Sequence, residues 1–415
     1  MLRSSPTLAW RGLGPDSHCH PPGVVKVMPA WNPQRYQHEG KIRDIDQGIL
    51  DSVVRIINRI RAVDARLPVI LTLRHLSVLT DVPYKYLRDV VSRQAGDYKR
   101  VLLKKRVPGR TRHREISIPN PVLAGVQKWI NENILQFTSA HPLSYAYHPE
   151  SQAVFAATPH CGCRWLLKVD LTDFFHSISE SDVYAVFKSL GYSPLLAFEL
   201  ARLTTMLSAS SRPAPADFTE RWSSIPAYAC EKQGVLPQGA PTSPMLSNLV
   251  MRDLDEGLAQ LAEAAGYTYT RYADDLAFST AKDVGLEHVQ RLRKSVLLKL
   301  AKSGFSGNLR KTVIRGPGAR RMVLGILVDG HEPRLAREYK DALRQHLYYL
   351  LSPAHGPAKH AGARNLSVST LFYHVRGKIA WAERVEPSFG SACLEEFEKV
   401  DWPPVDVARQ RSRDA

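Results

Sequence analysis

The chain has 415 residues, of which 44% are apolar and 23% charged, a balance that excludes a disordered protein and allows a sizeable core. Lys and Arg number 56 against 40 Asp and Glu, and the formal net charge of +16 points to a polyanionic partner. No apolar run approaches the roughly 20 residues that span a bilayer, and the opening "MLRSSPTLAWRGLGPDSHCHPPG" lacks the apolar stretch of a signal peptide. A cytoplasmic protein with no membrane partner is the expectation. The five cysteines (Cys19, Cys161, Cys163, Cys230 and Cys393) are odd in number and irregularly spaced, so no disulfide framework is expected. "HCH" at 18–20 and "HCGC" at 160–163 have no second pair at zinc-site spacing, and no zinc site is expected from them.

Taken in chain order, residues 1–40 are rich in Pro, Gly and His without periodicity and read as a loose extension. Ile45, Ile49, Val53, Ile56, Ile57 and Ile60 form a helical stripe over 43–62. Two short helices are expected in 73–94, around "TDVP". From Lys99 to Arg114 the chain reads "KRVLLKKRVPGRTRHR", with Lys104, Lys105, Arg106, Arg110, Arg112 and Arg114 among its cations and no acid. Apolar residues and Pro108-Gly109 interleave the charge, which predicts a basic hairpin with strands near 100–107 and 113–118. A helix follows from Pro121 to Phe137. "WLLKVD" at 165–170 is a buried strand that ends on an acid. A helix then starts at Ser179 or Ser181 and stops at Gly191. Another helix covers 194–208, and the Pro-rich 209–232 is a loop. Leu246, Leu249, Val250, Leu254, Leu258, Leu261 and Ala262 predict one helix from Ser243 to Ala265, ended by Gly266. "YTYTRYADDLAFS" alternates on both sides of Asp274-Asp275 and reads as a hairpin with the pair at its tip. A helix near 285–303, a strand near 310–315, a hairpin near 321–334 and helices near 335–352 and 366–384 complete the chain.

Two adjacent carboxylates at a turn repel each other, and a divalent cation removes the conflict. Hard oxygen ligands with open positions suit Mg²⁺. A third carboxylate from another strand would complete a two-metal site for in-line phosphoryl transfer. The best candidate is Asp170, at the end of its apolar strand. The plainer readings are that Asp274-Asp275 bonds turn amides and that Asp170 and Asp173 cap the following helix. What favours catalysis is the order of the three features: an acid-ended strand, a glycine turn opening a helix, and an acid-tipped hairpin.

"RYADDLAFS" at 271–279 resembles the catalytic hairpin of reverse transcriptases. "LKVDLTDFFHSI" at 167–178 resembles their first catalytic strand, and "GVLPQGAPTSPMLSNLVMRDLD" at 234–255 their substrate-binding turn and helix. The likeness extends over roughly 70–385 and is closest to the bacterial retron-type branch. It implies an α+β right-hand polymerase, with an antiparallel palm sheet backed by helices, fingers before it and a helical thumb after it. The expected division is an extension over 1–40, fingers over 41–164, palm over 165–334 with interleaved finger and palm helices at 176–232, and thumb plus tail over 335–415. The implied activity is RNA-directed DNA synthesis.

The resemblance also implies roles for individual residues. Asp170, Asp274, Asp275 and the carbonyl of Leu171 match the ligands of two Mg²⁺ ions, with Mn²⁺ as a substitute. Phe175 matches the aromatic gate that excludes a ribose 2′-OH, and Asp173 stands beside it at the nucleotide. Gln238 and Gly239 match the turn against the incoming dNTP. Arg114, seconded by Arg112, matches the finger arginine on the triphosphate, and Lys311 the lysine that protonates pyrophosphate. Lys104, Lys105, Arg106 and Arg110 would hold nucleic acid, and "RRMVLGILVDG" at 320–330 takes the place of the primer grip. Two retron signatures are altered. Of Asn-Ala-x-x-His, "AATPH" keeps Ala157 and His160, and Val-Thr-Gly becomes "VLG", which keeps Gly325; the resemblance implies that His160 and Gly325 contact nucleic acid. "FYHVRGKIAWAERVEP" at 372–387 resembles the retron thumb. The implied partners are a structured non-coding RNA that templates and primes, its DNA product, dNTPs and an effector protein, in phage defence. The alternatives are another defence-associated reverse transcriptase, a group II intron-like enzyme, for whose maturase domain the tail is short, and a non-catalytic RNA-binding protein on a polymerase palm.

Overall fold

The computed structural model describes residues 32–95, 98–107, 110–149, 151–216, 221–222, 224–229 and 231–403, and only the backbone at 104–107 and 110–114. Cys19 and Cys230 lie outside these. Two compact units are separated near residue 54.

In the N-terminal unit, residues 33–40, expected to be loose, belong to helix α1 (Pro33–Ile42). Asn32 accepts a hydrogen bond from the Arg35 amide and Pro33 opens the first turn, two start signals that outweigh the poor periodicity. Helix α2 (Gln47–Val63) carries the isoleucine stripe, with Ile57 and Ile60 buried.

The larger unit continues with α3 (Leu73–Thr80) and α4 (Tyr84–Val91), then the basic hairpin of β1 (Tyr98–Val107) and β2 (Arg110–Pro119). These strands pair antiparallel over their whole length, from Tyr98 opposite Pro119 to Val107 opposite Arg110. Helix α5 (Pro121–Asn133) stops short of the expected Phe137, and Leu135–Phe137 tighten into a 3₁₀ turn. After the short α6 (Ala153–Ala157) comes β3 (Trp165–Asp170), then α7 (Phe174–Ser177) and α8 (Glu180–Ser189). Ser179 caps α8 in a reciprocal box with Asp182, which decides between the two serines. Helix α9 (Pro194–Thr204) ends earlier than expected, because Met206 exchanges main-chain hydrogen bonds with Val235.

The expected single helix over 243–265 is two: α10 (Ser243–Val250) and α11 (Arg252–Ala265), jointed at the fully buried Met251. The apolar period runs through the joint, so the pattern does not register it. Gly266, at φ +76°, ends α11 as predicted. Strands β4 (Thr268–Tyr272) and β5 (Asp275–Thr280) follow, then α12 (Leu286–Lys302) and β6 (Val313–Arg315). In place of a plain hairpin over 321–334, β7 (Met322–Val323), β8 (Ile326–Leu327) and β9 (Arg334–Leu335) make a small antiparallel sheet. Two of the last four helices, α13 (Arg337–Leu351) and α15 (Val368–Val385), were expected. The others, α14 (Gly356–Gly362) and α16 (Pro387–Glu398), were not.

The central sheet has the order β4-β5-β3-β6 and is antiparallel throughout. Side chains alternate along a strand, so each face has its own set. Leu167, Val169, Tyr269, Leu276 and Phe278 face back and pack with Leu246 and Leu249 of α10, Leu254 and Leu258 of α11, and Val289, Val296 and Leu300 of α12. Leu166 and Ala277 face forward and join a second cluster with Val323, Ile326, Leu343, Leu347, Leu371 and Val375. This gives a sheet with helices on its back and a small sheet plus C-terminal helices against part of its front. The forward face near the ends of β3 and β5 is where the acids lie.

Candidate active site

The β3–β5 register sets Asp170 directly opposite Asp275. Cross-strand partners point the same way with Cβ atoms about 5 Å apart, so these two carboxylates are neighbours although 105 positions separate them. Asp274 follows from the turn. The Leu171 amide donates to the Asp274 carbonyl at 3.0 Å, which pins the hairpin tip to the end of β3. The turn residues are Ala273 and Asp274, while Asp275 opens β5, so the acid pair straddles turn and strand instead of sitting wholly at the tip. The three acids line one cleft of about 630 Å³ with Leu171, Asp173, Phe175, Gln238 and Lys311.

Electrostatic strain in the cleft is legible. Burial, with the charges of Asp274 and Asp170, pushes the Asp275 acid above its ordinary value, against Lys168 and Lys311. Asp170, only 8% exposed, is held by two partners: Lys311 Nζ at 2.7 Å from Oδ1 and Asn308 Nδ2 at 3.2 Å from Oδ2. The Asn308 amide also donates to the Asp170 carbonyl at 2.7 Å. As they stand, no three His, Cys, Asp or Glu side chains among the described residues are placed to hold one metal ion. The donor set is nonetheless the right kind for a hard divalent cation: carboxylate and carbonyl oxygens from two strands.

The family described as "Reverse transcriptase (RNA-dependent DNA polymerase)" matches residues 102–327. The chain is 28% identical over 339 residues to the retron Ec86 reverse transcriptase of Escherichia coli, a match that covers 81% of this chain and 97% of the relative. It is 31% identical over 314 residues to the retron Ec83 reverse transcriptase of the same species, covering 74% and 88%. It is 32% identical over 274 residues to the retron Mx65 reverse transcriptase of Myxococcus xanthus, covering 66% and 58%. The chain belongs to the retron-type reverse transcriptases. It is an RNA-directed DNA polymerase on a right-hand fold.

Around the acids, the reverse transcriptase places other expected residues in the same cleft. Phe175 is half-buried, its ring 5.4 Å from that of Phe174 and 6.2 Å from that of Tyr147. Asp173, at φ +46°, turns the chain into α7 and remains exposed. Gly239 has φ +121°, and a Cβ there would lie 2.7 Å from Ile116 Cγ2 and 3.1 Å from the Ser117 carbonyl, so glycine alone fits. The Ser117 amide donates to the Gln238 carbonyl at 2.7 Å. Strand β2 is thereby docked on the Gln238–Gly239 turn, and its preceding residues run back past Glu115, itself on the cleft wall, to Arg114 and Arg112. The side chains of Lys104, Lys105, Arg106, Arg110, Arg112 and Arg114 lie outside the described residues. Gly325 is exposed, in the two-residue turn between β7 and β8, where both Leu324 and Gly325 have positive φ.

One expectation is corrected. His160, expected to touch nucleic acid, is fully buried. Its Nδ1 lies 2.6 Å from Ser279 Oγ and its Nε2 2.7 Å from Thr270 Oγ1, so both ring nitrogens are used inside the palm. These hydroxyls are on β5 and β4, and the imidazole ties them to the turn after α6. Burial pushes the His160 pKa down to about 4. In the unfolded chain it titrates near 6.5, so below that pH the unfolded state binds the extra proton and the folded state does not. Its contribution is complete above about pH 6.5 and falls away as pH drops toward 4, by up to roughly 3 kcal/mol. The urea midpoint of the wild type is expected to fall over that window more steeply than that of His160→Gln. Parallel pH profiles would remove the assignment.

The sequence reading missed Asn308, Glu115 and His176 on the cleft wall, and the Arg271–Asp255 pair behind it. "NLRKTV" offered a signal for Asn308 in its spacing from Lys311. Nothing local marks Glu115 or His176 in this way.

Proposed function

We propose that this reverse transcriptase copies a dedicated structured RNA into single-stranded DNA, in the cytoplasm and as part of anti-phage defence, with an effector protein as a further partner. The working parts are fingers over 41–164, palm over 165–334 and thumb plus tail over 335–415. The observation that carries the catalytic reading is the register of Asp170 against Asp275, with Asp274 pinned beside them.

Asp170, Asp274, Asp275 and the Leu171 carbonyl would hold Mg²⁺, or Mn²⁺ in its place. Such ions lower the pKa of the attacking hydroxyl and neutralise the phosphates. The protein's own residues do the positioning. A primer hydroxyl gives its proton to solvent and forms the new P–O bond at the α-phosphate, while the bond from that phosphorus to the α,β-bridging oxygen breaks and pyrophosphate leaves with its electron pair. The Gln238–Gly239 turn lets the backbone approach the nucleotide closely. Phe175 and Asp173 line the sugar side, where a ribose 2′-OH would meet the phenyl ring. Arg114 and Arg112 come from β2 onto the triphosphate, and Lys311 Nζ, already in the cleft, has a proton to give the leaving group. Lys104, Lys105, Arg106 and Arg110 hold template and primer through their phosphates, and the Gly325 turn abuts the primer strand.

Sequencing the nucleic acid that co-purifies with the protein tests this reading. A short DNA joined to RNA through a 2′–5′ link is expected. Repetitive or protein-linked DNA would place the enzyme in another defence branch, and RNA alone would support the non-catalytic alternative.

A further inference from the structure

The forward face of the palm carries a second lysine beside the acids. Leu166, Lys168 and Asp170 share that face, because side chains alternate along β3. Cross-strand pairing places their neighbours: Asp275 opposite Asp170, Ala277 and Val313 on either side of Lys168, and Ser279 opposite Leu166. Leu166 and Ala277 pack with Val323 and Ile326 of the β7–β8 hairpin. Lys168 therefore occupies the row between the acids and that hairpin, about 7 Å along the strand from Asp170.

Three features distinguish it from a surface lysine. It is half-buried. Its flanking partners, Ala277 and Val313, bring no charge, and among the described residues its ammonium forms no hydrogen bond or ion pair, whereas Lys311 bonds Asp170 directly. It is also absent from the walls of the nucleotide cleft, so it lies to one side of the nucleotide and toward the hairpin. Its charge does reach Asp275, where it lowers the acid. A cation partly withdrawn from water without a hydrogen-bonded counter-ion is costly unless an anion arrives to pair with it.

We infer that Lys168 binds a backbone phosphate of the primer strand, just behind the 3′ end. This rests on the acids being the catalytic centre, because the 3′ hydroxyl must then lie at Asp170 and Asp275. The strand leading away from it toward the β7–β8 hairpin passes over Lys168. The contact is sequence-independent, as a phosphate contact must be, and it sets how far the primer end reaches.

The test is equilibrium binding of a primed RNA–DNA hybrid to the full chain, by fluorescence anisotropy across a salt series. Loss of one phosphate contact reduces the slope of log K against log salt by about 0.7–0.9. Lys168→Ala and Lys168→Met, the latter keeping the apolar stem, are expected to show that drop. They should also bind the hybrid severalfold more weakly and raise KM for the hybrid, with KM for dNTP little changed. Lys168→Arg should restore the slope. An unchanged slope and affinity in both variants would overturn the inference, as would a rise confined to KM for dNTP, which would make Lys168 a counter-charge for the acids alone. Primer extension by Asp274→Asn on the same hybrid separates the two readings. If that variant still incorporates dNTP, the catalytic assignment fails, whatever the Lys168 slopes show about phosphate contact.

Discussion

Asp274→Asn is expected to lose dNTP incorporation by at least about three orders of magnitude while still binding RNA. One lost electrostatic contact in an active site costs about 10²–10³ in rate, and here the substitution removes one of the three charges proposed to hold divalent cations. The change is nearly isosteric. The contact that pins the hairpin tip, Leu171 N–H to the Asp274 carbonyl, is main chain and survives it. The basic hairpin of β1 and β2 is untouched. Primer extension on an RNA template measures the first effect and a filter-binding titration the second. Activity within about tenfold of wild type would refute the role, since it falls short of even one such contact.

Asp255→Ala is expected to destabilise the enzyme by about 3–5 kcal/mol, the cost of leaving a buried charge without its partner. Asp255 and Arg271 form an ion pair in which both side chains are 0% exposed. Arg271 Nε and Nη2 donate to the two carboxylate oxygens at 2.8 and 2.7 Å, and Tyr269 Oη donates to Asp255 Oδ1 at 2.8 Å. The remaining nitrogen, Nη1, donates to Asn248 Oδ1 and to the Ala273 carbonyl, each at 3.1 Å. The last of these lies in the turn that carries Asp274, so the pair both stabilises the palm and holds the hairpin tip. Replacing both partners by apolar residues of similar volume, Asp255→Leu with Arg271→Met, should recover much of the stability, because neither charge is then stranded. It should not recover activity, because nothing then grips Ala273. Urea unfolding and primer extension on the same preparations separate the two effects. Full recovery of both would confine Arg271 to the core.

How far the sequence could be read depended on whether a feature is local. A serine start for α8, the Gly266 stop and the alternation on either side of Asp274-Asp275 are set within a few residues, and the structure has them where the pattern says, with Ser179 chosen over Ser181. The joint at Met251 and the helices α14 and α16 escaped. The first is hidden inside an unbroken apolar period, and α14 is a seven-residue helix too short for periodicity to declare. His160 was misread for a different reason: a histidine matched to a family signature says nothing about whether its two nitrogens will meet water, RNA or a pair of buried hydroxyls.

By itself the sequence determined the chemistry available: three carboxylates on segments of alternating pattern, a glycine turn and a basic hairpin, each dictated by local steric and solvation preferences. Only the tertiary structure decided which of these meet. Strand register is a long-range property, set by which apolar faces find the helices behind the sheet, and a slip of one residue would turn Asp275 away from Asp170. The same register puts Lys168 between two uncharged cross-strand partners, buries Arg271 against Asp255 and folds His160 into the palm. None of those outcomes is written in the residues next to them.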